Sequence, residues 1–334
     1  MRPFRWIVAI ALFAPSAARA ADVAVEKGKD TVDFKIDGKA VAKYQFAGTV
    51  QEEKSDARKP LAKPFLWPVL APNGVPVTRA WPMDRSGKEK TDHFHQKSVW
   101  FCHGDVIPEG IDLKGKHAVD FWSETPGHGR IVCTVLNAAN NRISSTNEWQ
   151  TADGVRILDE ERTISLREVA GGRMFVFECK LAANTCNITF GDTKEGSFGV
   201  RVHDGWRLEL PTGGTVASSD GTSSTAPAKE NLKMWGRFAD WHDYSGTADG
   251  KTAGIAVFDH PSNPSRAAWH TRAYGLMAAN PFGRAKSGFP ALKDKTELVR
   301  LEKGKTLTFK YAVFVHDGDA KAGKVAEAYE AFKK

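Results

Sequence analysis

Within TDHFHQKSVWFCHGD, residues 91–105, stand His93, His95 and His103 of the chain's ten histidines, with Asp92 and Asp105. They flank the apolar run Val99-Trp100-Phe101-Cys102. Imidazoles exchange protons near neutral pH and ligate metals, so three chemistries are open to this stretch. It can be an acid–base or substrate-binding site, a divalent-metal site, or a strand end whose histidines only complete hydrogen bonds. On a strand His93 and His95 project to one face, and a returning strand end brings His103 as a third nitrogen donor. His103-Gly104-Asp105 suits proton transfer, because glycine lets backbone or substrate approach and a carboxylate can orient the imidazole.

Other polar clusters mix charge with aromatic side chains, the composition of sites that stack a sugar ring and hydrogen-bond its hydroxyls. Lys194 and Glu195 sit in a turn of GDTKEGSFGVR, with Arg201 downstream. Glu195 reads as a general base if half-buried, or as part of an ion-pair network. Asp259-His260-Pro261 ends an apolar strand and leads to Asn263, and Trp269-His270 follows. His260 and His103 are the principal acid–base candidates, followed by Glu195, with His95 and His270 as orienting groups or alternates. Asp92, Trp100, Lys194, Arg201, Asn263 and Trp269 are the candidates for substrate binding. His117, His128 and His316 lack such company and read as surface or structural residues.

These side chains must be positioned by strands. Apolar–polar alternation recurs in TVDFKI, RIVCTV, RTISLR and TLTFKYAVFV, punctuated by Asp-Gly and Gly-Gly turns. Only residues 320–333 carry a helical pattern, with Val325, Ala328, Tyr329 and Phe332 on one face. The expectation is an all-β chain: one large antiparallel β-sandwich, supersandwich-like, over residues 21–334 with a C-terminal helix. The Ser/Thr/Gly-rich segment 213–227 is the expected mobile loop.

Arg2 and Arg5, the apolar run 6–14 and Ala18-Arg19-Ala20 read as a signal peptide over residues 1–20, giving a periplasmic or secreted protein with no membrane span in the mature chain. Removing Arg2, Arg5 and Arg19 lowers the formal charge from +7 to +4. The remaining lysines are interspersed with acids, a solvated surface and not a nucleic-acid footprint. Export permits disulfides, and Cys179 and Cys186 flank a turn-like segment, so a bridge there is one expectation. Nucleotide-binding and serine-hydrolase motifs are missing, so the residues require no cofactor, while a divalent metal stays open.

The motifs DHFHQKSVWFCHGD, FGDTKEGSFGVRV, DYSG, GKTAGIAVFDHPSNP and WHTRAYGLMAANPFG, in this order between Pro64 and Asp319, resemble the exported bacterial family labelled PmoA or methane-oxygenase-like. Gln96 stands where that family commonly carries another histidine. The resemblance implies a galactose-mutarotase type of supersandwich and a setting in sugar oxidoreduction and glycoside breakdown. The function expected is an exported carbohydrate-active enzyme, acting on a small-molecule sugar, oligosaccharide, glycoside or oxidised sugar by histidine–carboxylate chemistry. Alternatives are a metal-dependent enzyme using His93, His95 and His103, and a noncatalytic glycan-binding protein.

Overall fold

The computed structural model describes residues 21–230 and 232–334. The segment read as a signal peptide lies outside the described residues. Two antiparallel sheets dominate. Sheet I runs, in spatial order, through Val23–Lys27, Thr31–Ile36, Lys39–Gln45, Phe65–Val69, Val99–His103, Gly196–Arg201, Leu276–Asn280 and Ala268–Trp269. Sheet II runs through Ser223–Thr225, Thr215–Ser218, Trp241–Ala248, Lys251–Asp259, Thr306–Asp317, Gly172–Ala182, Arg156–Val169, Arg142–Gln150 and Arg130–Ala139. This is the expected all-β sandwich. Alternating burial along Thr31–Ile36 follows the apolar–polar alternation of its sequence.

The sheets meet through aromatic residues. Phe101 and Phe198 of sheet I lie 6.3 and 4.8 Å, centroid to centroid, from Tyr311 of sheet II, and Phe198 lies 4.9 Å from Phe177. One apolar cluster runs through both sheets. The helix Val325–Lys333 covers the far side of sheet II with Val325, Ala328, Tyr329 and Phe332, the face its sequence pattern marks. No helix among the described residues is long and apolar enough to cross a membrane.

Two expectations are corrected. Segment 213–227 contains the paired strands Thr215–Ser218 and Ser223–Thr225 at the edge of sheet II, held by the strand Trp241–Ala248. Threonine and serine at these positions are compatible with a pleated edge, and tertiary pairing overrides their loop-like composition. Cys179 and Cys186 are separate thiols. Cys179 pairs with Arg162 and Phe309 inside sheet II. The strand Ile188–Phe190 after Cys186 joins a different, three-stranded sheet, so no hairpin aligns the two sulfurs.

Candidate functional site

Strand pairing decides which side chains can meet. Trp100 pairs with Gly199, Gly199 with Ala278, and Ala278 with His270, while Arg201 pairs with Leu276 and Leu276 with Arg272. Cross-strand partners share a face, so His270, Arg272 and Arg201 stand on the face of sheet I turned away from sheet II. The adjacent rows, with Phe101, Phe198 and Trp269, face the core. Gly199 is required here, because a Cβ would stand 2.5 Å from the Trp100 ring lying across it.

His103 shares the parity of Val99 and Phe101 and therefore points to the core. It is fully buried, donates Nε2–H to the Gly191 carbonyl at 2.9 Å, and accepts from the Ser197 hydroxyl at Nδ1, 3.3 Å away. Phe282 and Phe190 pack against it, and burial lowers its pKa to about 4. Its place is structural, which corrects its reading as the principal acid–base group and as a ligand beside His93 and His95. Among the described residues no group of three or more His, Cys, Asp or Glu has the arrangement to hold a metal ion.

His260 is separated from the polar face as well. It lies past the end of a sheet II strand, against Phe332 of the C-terminal helix, with Nδ1 2.6 Å from the Ser262 hydroxyl. Asn263 is spent on structure: its amide donates to Asp259 and the Lys310 carbonyl, and its oxygen accepts from the Lys310 amide. Trp269 donates to the Ala239 carbonyl and stacks on His242 at 4.3 Å, fully buried. Trp100 is buried against Trp122 at 5.0 Å. These sequence-selected residues build the scaffold: Trp100 stands on the same face of sheet I as His270 but is covered, and His260, Asn263 and Trp269 lie away from that face.

What does gather there is His93, His95, Lys194, Glu195, His270, Arg272 and Tyr274. The segment carrying the first two is held by buried arginines. Arg79, 0% exposed, donates to the Asp92 carboxylate at 2.8 Å and to the carbonyls of Asp92 and His93 at 2.9 and 2.6 Å. Arg201, 1% exposed, donates to the same Asp92 oxygen at 2.8 Å and to Gln96 Oε1 at 2.6 Å, and lies 4.6 Å from the Tyr274 ring. Burial pushes the Asp92 carboxyl up, but the His93 hydrogen bond and the two guanidiniums outweigh it and hold it well below the usual carboxylate range. Asp92 and Arg201 therefore anchor the loop. Gln96, at the position of the resembling family's histidine, is one of its fasteners.

So held, His93 stacks on Tyr274 at 4.7 Å and meets His95 edge-on at 5.9 Å. The half-buried His95 imidazole has no hydrogen-bond partner among the described residues. Burial first, then the charge of Lys63, lowers its pKa to about 3, so it is neutral at neutral pH. Behind it Lys63 and Lys97, both buried, share one carboxylate. Lys63 reaches Glu124 at 2.6 Å and Lys97 reaches its other oxygen. Burial opposes the charge on Glu124, yet the two lysines win and bring its pKa to about 2.

The opposite wall is the turn preceding Gly196–Arg201, pinned carbonyl by carbonyl. Asn280 Nδ2 donates to Thr193, His270 Nδ1–H to Lys194, and the Gly104 amide to Glu195, at 2.8, 2.9 and 2.8 Å. Gly104 permits this approach, since a Cβ there would lie 2.9 Å from Glu195 Cβ. The half-buried Glu195 carboxyl has no hydrogen-bond or ion-pair partner among the described residues, and burial raises its pKa. His93 lies within electrostatic reach of both His95 and Glu195. Arg272 was not singled out in the sequence, and Tyr274 counted only among the aromatic residues of the polar clusters. Their signal was the arginine and tyrosine of WHTRAYG, where a tight β-hairpin presents polar side chains. Cavities of about 490 Å³ beside Arg284 and Lys295, and about 290 Å³ beside Lys114 and Asp153, contain none of these groups.

The fold and this polar face define an antiparallel β-sandwich protein with a histidine–glutamate cluster on the outer face of one sheet. The chain belongs to DUF6807, described as a family of unknown function, whose model matches residues 31–330. No match is found among curated proteins. Among solved structures it is similar to a putative aldose 1-epimerase from Escherichia coli K12, with TM-score 0.36 and 8% identity, covering 89% of this chain and 100% of that one. It is also similar to the GH36 α-galactosidase from Geobacillus stearothermophilus, with TM-score 0.30 and 8% identity over 76% of this chain and 30% of that one. A third similarity is to the 4-α-glucanotransferase of Thermococcus litoralis, with TM-score 0.28 and 9% identity over 89% and 39% of the two chains.

Proposed function

We propose that this protein is an exported carbohydrate-active enzyme whose proton-transfer site is the Glu195–His95 cluster. One observation carries the reading: two half-buried titratable side chains, without hydrogen-bond partners among the described residues, flank the stacked His93–Tyr274 pair. A carboxyl raised by burial is matched to proton exchange nearer neutrality than a solvated one. A neutral imidazole can hydrogen-bond a sugar oxygen without placing a second charge in the site. Glu195 then gives or takes the proton, His95 orients the oxygen, and the exposed side of His93, backed by the buried Tyr274, receives a ring face. The Met1–Ala20 pattern supports action in the periplasm or outside the cell.

The test is turnover on sugars, glycosides and oxidised glycosides, read by NMR for anomer exchange and bond cleavage and by absorbance for elimination. E195Q should lower kcat roughly 10²- to 10⁴-fold without lowering the melting temperature. Full turnover in E195Q overturns the assignment. Saturable sugar binding without turnover across the panel favours the noncatalytic glycan-binding reading. The three-histidine metal reading has no support in the geometry, since His103 faces away from His93 and His95 across the sheet.

A further inference from the structure

Arg272 is held as a receptor with its fork open. Its Nε donates to His270 Nε2 at 3.0 Å, and its guanidinium lies 5.3 Å from the Trp235 ring. His270 can accept there because its Nδ1–H is given to the Lys194 carbonyl, which fixes the tautomer. Both Nη groups are without hydrogen-bond partners among the described residues, and no carboxylate lies within ion-pair distance of Arg272, although Glu195 is within electrostatic reach. A guanidinium stacked on one face and tied at Nε presents two parallel N–H donors, the geometry that takes a carboxylate bidentately.

The surrounding charge is also unbalanced in one direction. Buried Arg79 and Arg201 share the single Asp92 carboxylate, and buried Lys63 and Lys97 share Glu124. By direct ion-pair contacts each trio leaves one surplus positive charge, and Lys194 has no ion-pair partner among the described residues; Glu89 and Asp204 offset part of the charge on Arg79 and Arg201 from farther away, and Glu195 part of that on Lys194 and Arg272. Poorly solvated surplus charge favours an anionic ligand more than the same charge on a surface.

Resting on the carbohydrate reading of this site, we propose that its substrate is an acidic sugar, a uronic or aldonic acid unit, whose carboxylate is bound by Arg272. The ring then lies toward His93 and Tyr274, with the reacting end toward Glu195.

The experiment measures binding of matched pairs by calorimetry and ligand-observed NMR: glucose with glucuronate and gluconate, galactose with galacturonate, and glucose 6-phosphate. Malate serves as a carboxylate that is not a sugar. The expected result is acidic sugars binding roughly ten- to hundredfold tighter than neutral partners, the range of a charge-assisted hydrogen-bond pair. R272Q should abolish that preference, and R272K should retain only part of it, because lysine keeps the charge and loses the fork. R272K also serves if R272Q does not fold. Equal binding of neutral and acidic sugars, or preference for the phosphate, overturns the carboxylate assignment and leaves the carbohydrate reading standing. A preference unchanged in R272Q and R272K removes Arg272 from the role. Malate binding that depends on Arg272, with no sugar bound, overturns the sugar proposal and the carbohydrate reading together, leaving only an anion site. No binding by any member overturns both.

Discussion

His270 links two walls of the cluster: its Nδ1–H goes to the Lys194 carbonyl at 2.9 Å, and its Nε2 accepts Nε–H of Arg272 at 3.0 Å. Burial, reinforced by the positive charge of Arg272, lowers its pKa to about 3, which keeps the imidazole neutral and Nε2 free to accept. It is a positioning residue for both the Glu195 turn and the Arg272 fork.

Replacing His270 by Asn keeps one hydrogen bond at most. H270N should therefore raise KM for an acidic sugar about tenfold, the cost of one hydrogen bond to a charged group, with a smaller effect on kcat and no change in the pH profile's ionisation midpoints. Steady-state kinetics across pH 5–9 checks this. A fall in kcat alone would place His270 in the chemistry itself.

Glu195 has a stability signature opposite to that of a structural carboxylate. Its folded pKa is raised by burial, so ionising it in the fold costs stability. That cost is absent below the unfolded carboxylate pKa and accrues as pH rises through the folded value. E195Q should accordingly be as stable as the parent at low pH and at least as stable at pH 7, while losing turnover. Urea melts at pH 4 and 7 test it, and a less stable E195Q at pH 7 would identify an ion pair holding the carboxylate.

Glu124 should behave in the reverse sense. Its pKa near 2 means its stabilisation is present above the unfolded value and lost as pH falls toward 2. E124Q leaves two buried ammonium groups without their carboxylate and should cost roughly 3–5 kcal/mol at pH 7. The gap to the parent should narrow below pH 4.5 in denaturant titrations. A loss below about 1 kcal/mol, the value of an exposed pair, would show that water reaches the trio.

His103, with a pKa near 4, and His95, His242 and His270, near 3, are kept neutral chiefly by burial. The unfolded chain takes up protons at these groups below pH 6.5 and the fold does not, so stability is full above 6.5 and falls as pH drops through the folded values. H103N should cost about 1–3 kcal/mol, the penalty for an unsatisfied buried polar group, with turnover of the folded fraction intact. H260N, half-exposed and locally bonded, should stay within about 0.5 kcal/mol of the parent. A specific loss of kcat in either variant would return that histidine to the site.

Much of the architecture was legible because strand alternation and one helical stripe are local properties. TVDFKI buries alternate residues as its pattern requires, and Val325, Ala328, Tyr329 and Phe332 form the buried helix face. The concentration of titratable groups in the first histidine segment and the KEG turn was also legible, since such density beside apolar strands is a local feature. The periodicity of VWFCH further separates Trp100 and Cys102 from Phe101 and His103. It does not say which pair meets the core. Only the packing of Phe101 and Phe198 on Tyr311 decided that, turning His103 inward and leaving Glu195, His270 and Arg272 on the outer face. The same non-local pairing carried His260 to the helix side of sheet II and brought Tyr274 under His93 across 181 residues of chain. Face parity is written in two-residue spacing, whereas the choice of face is an energy difference between whole-sheet packings, to which every strand contributes.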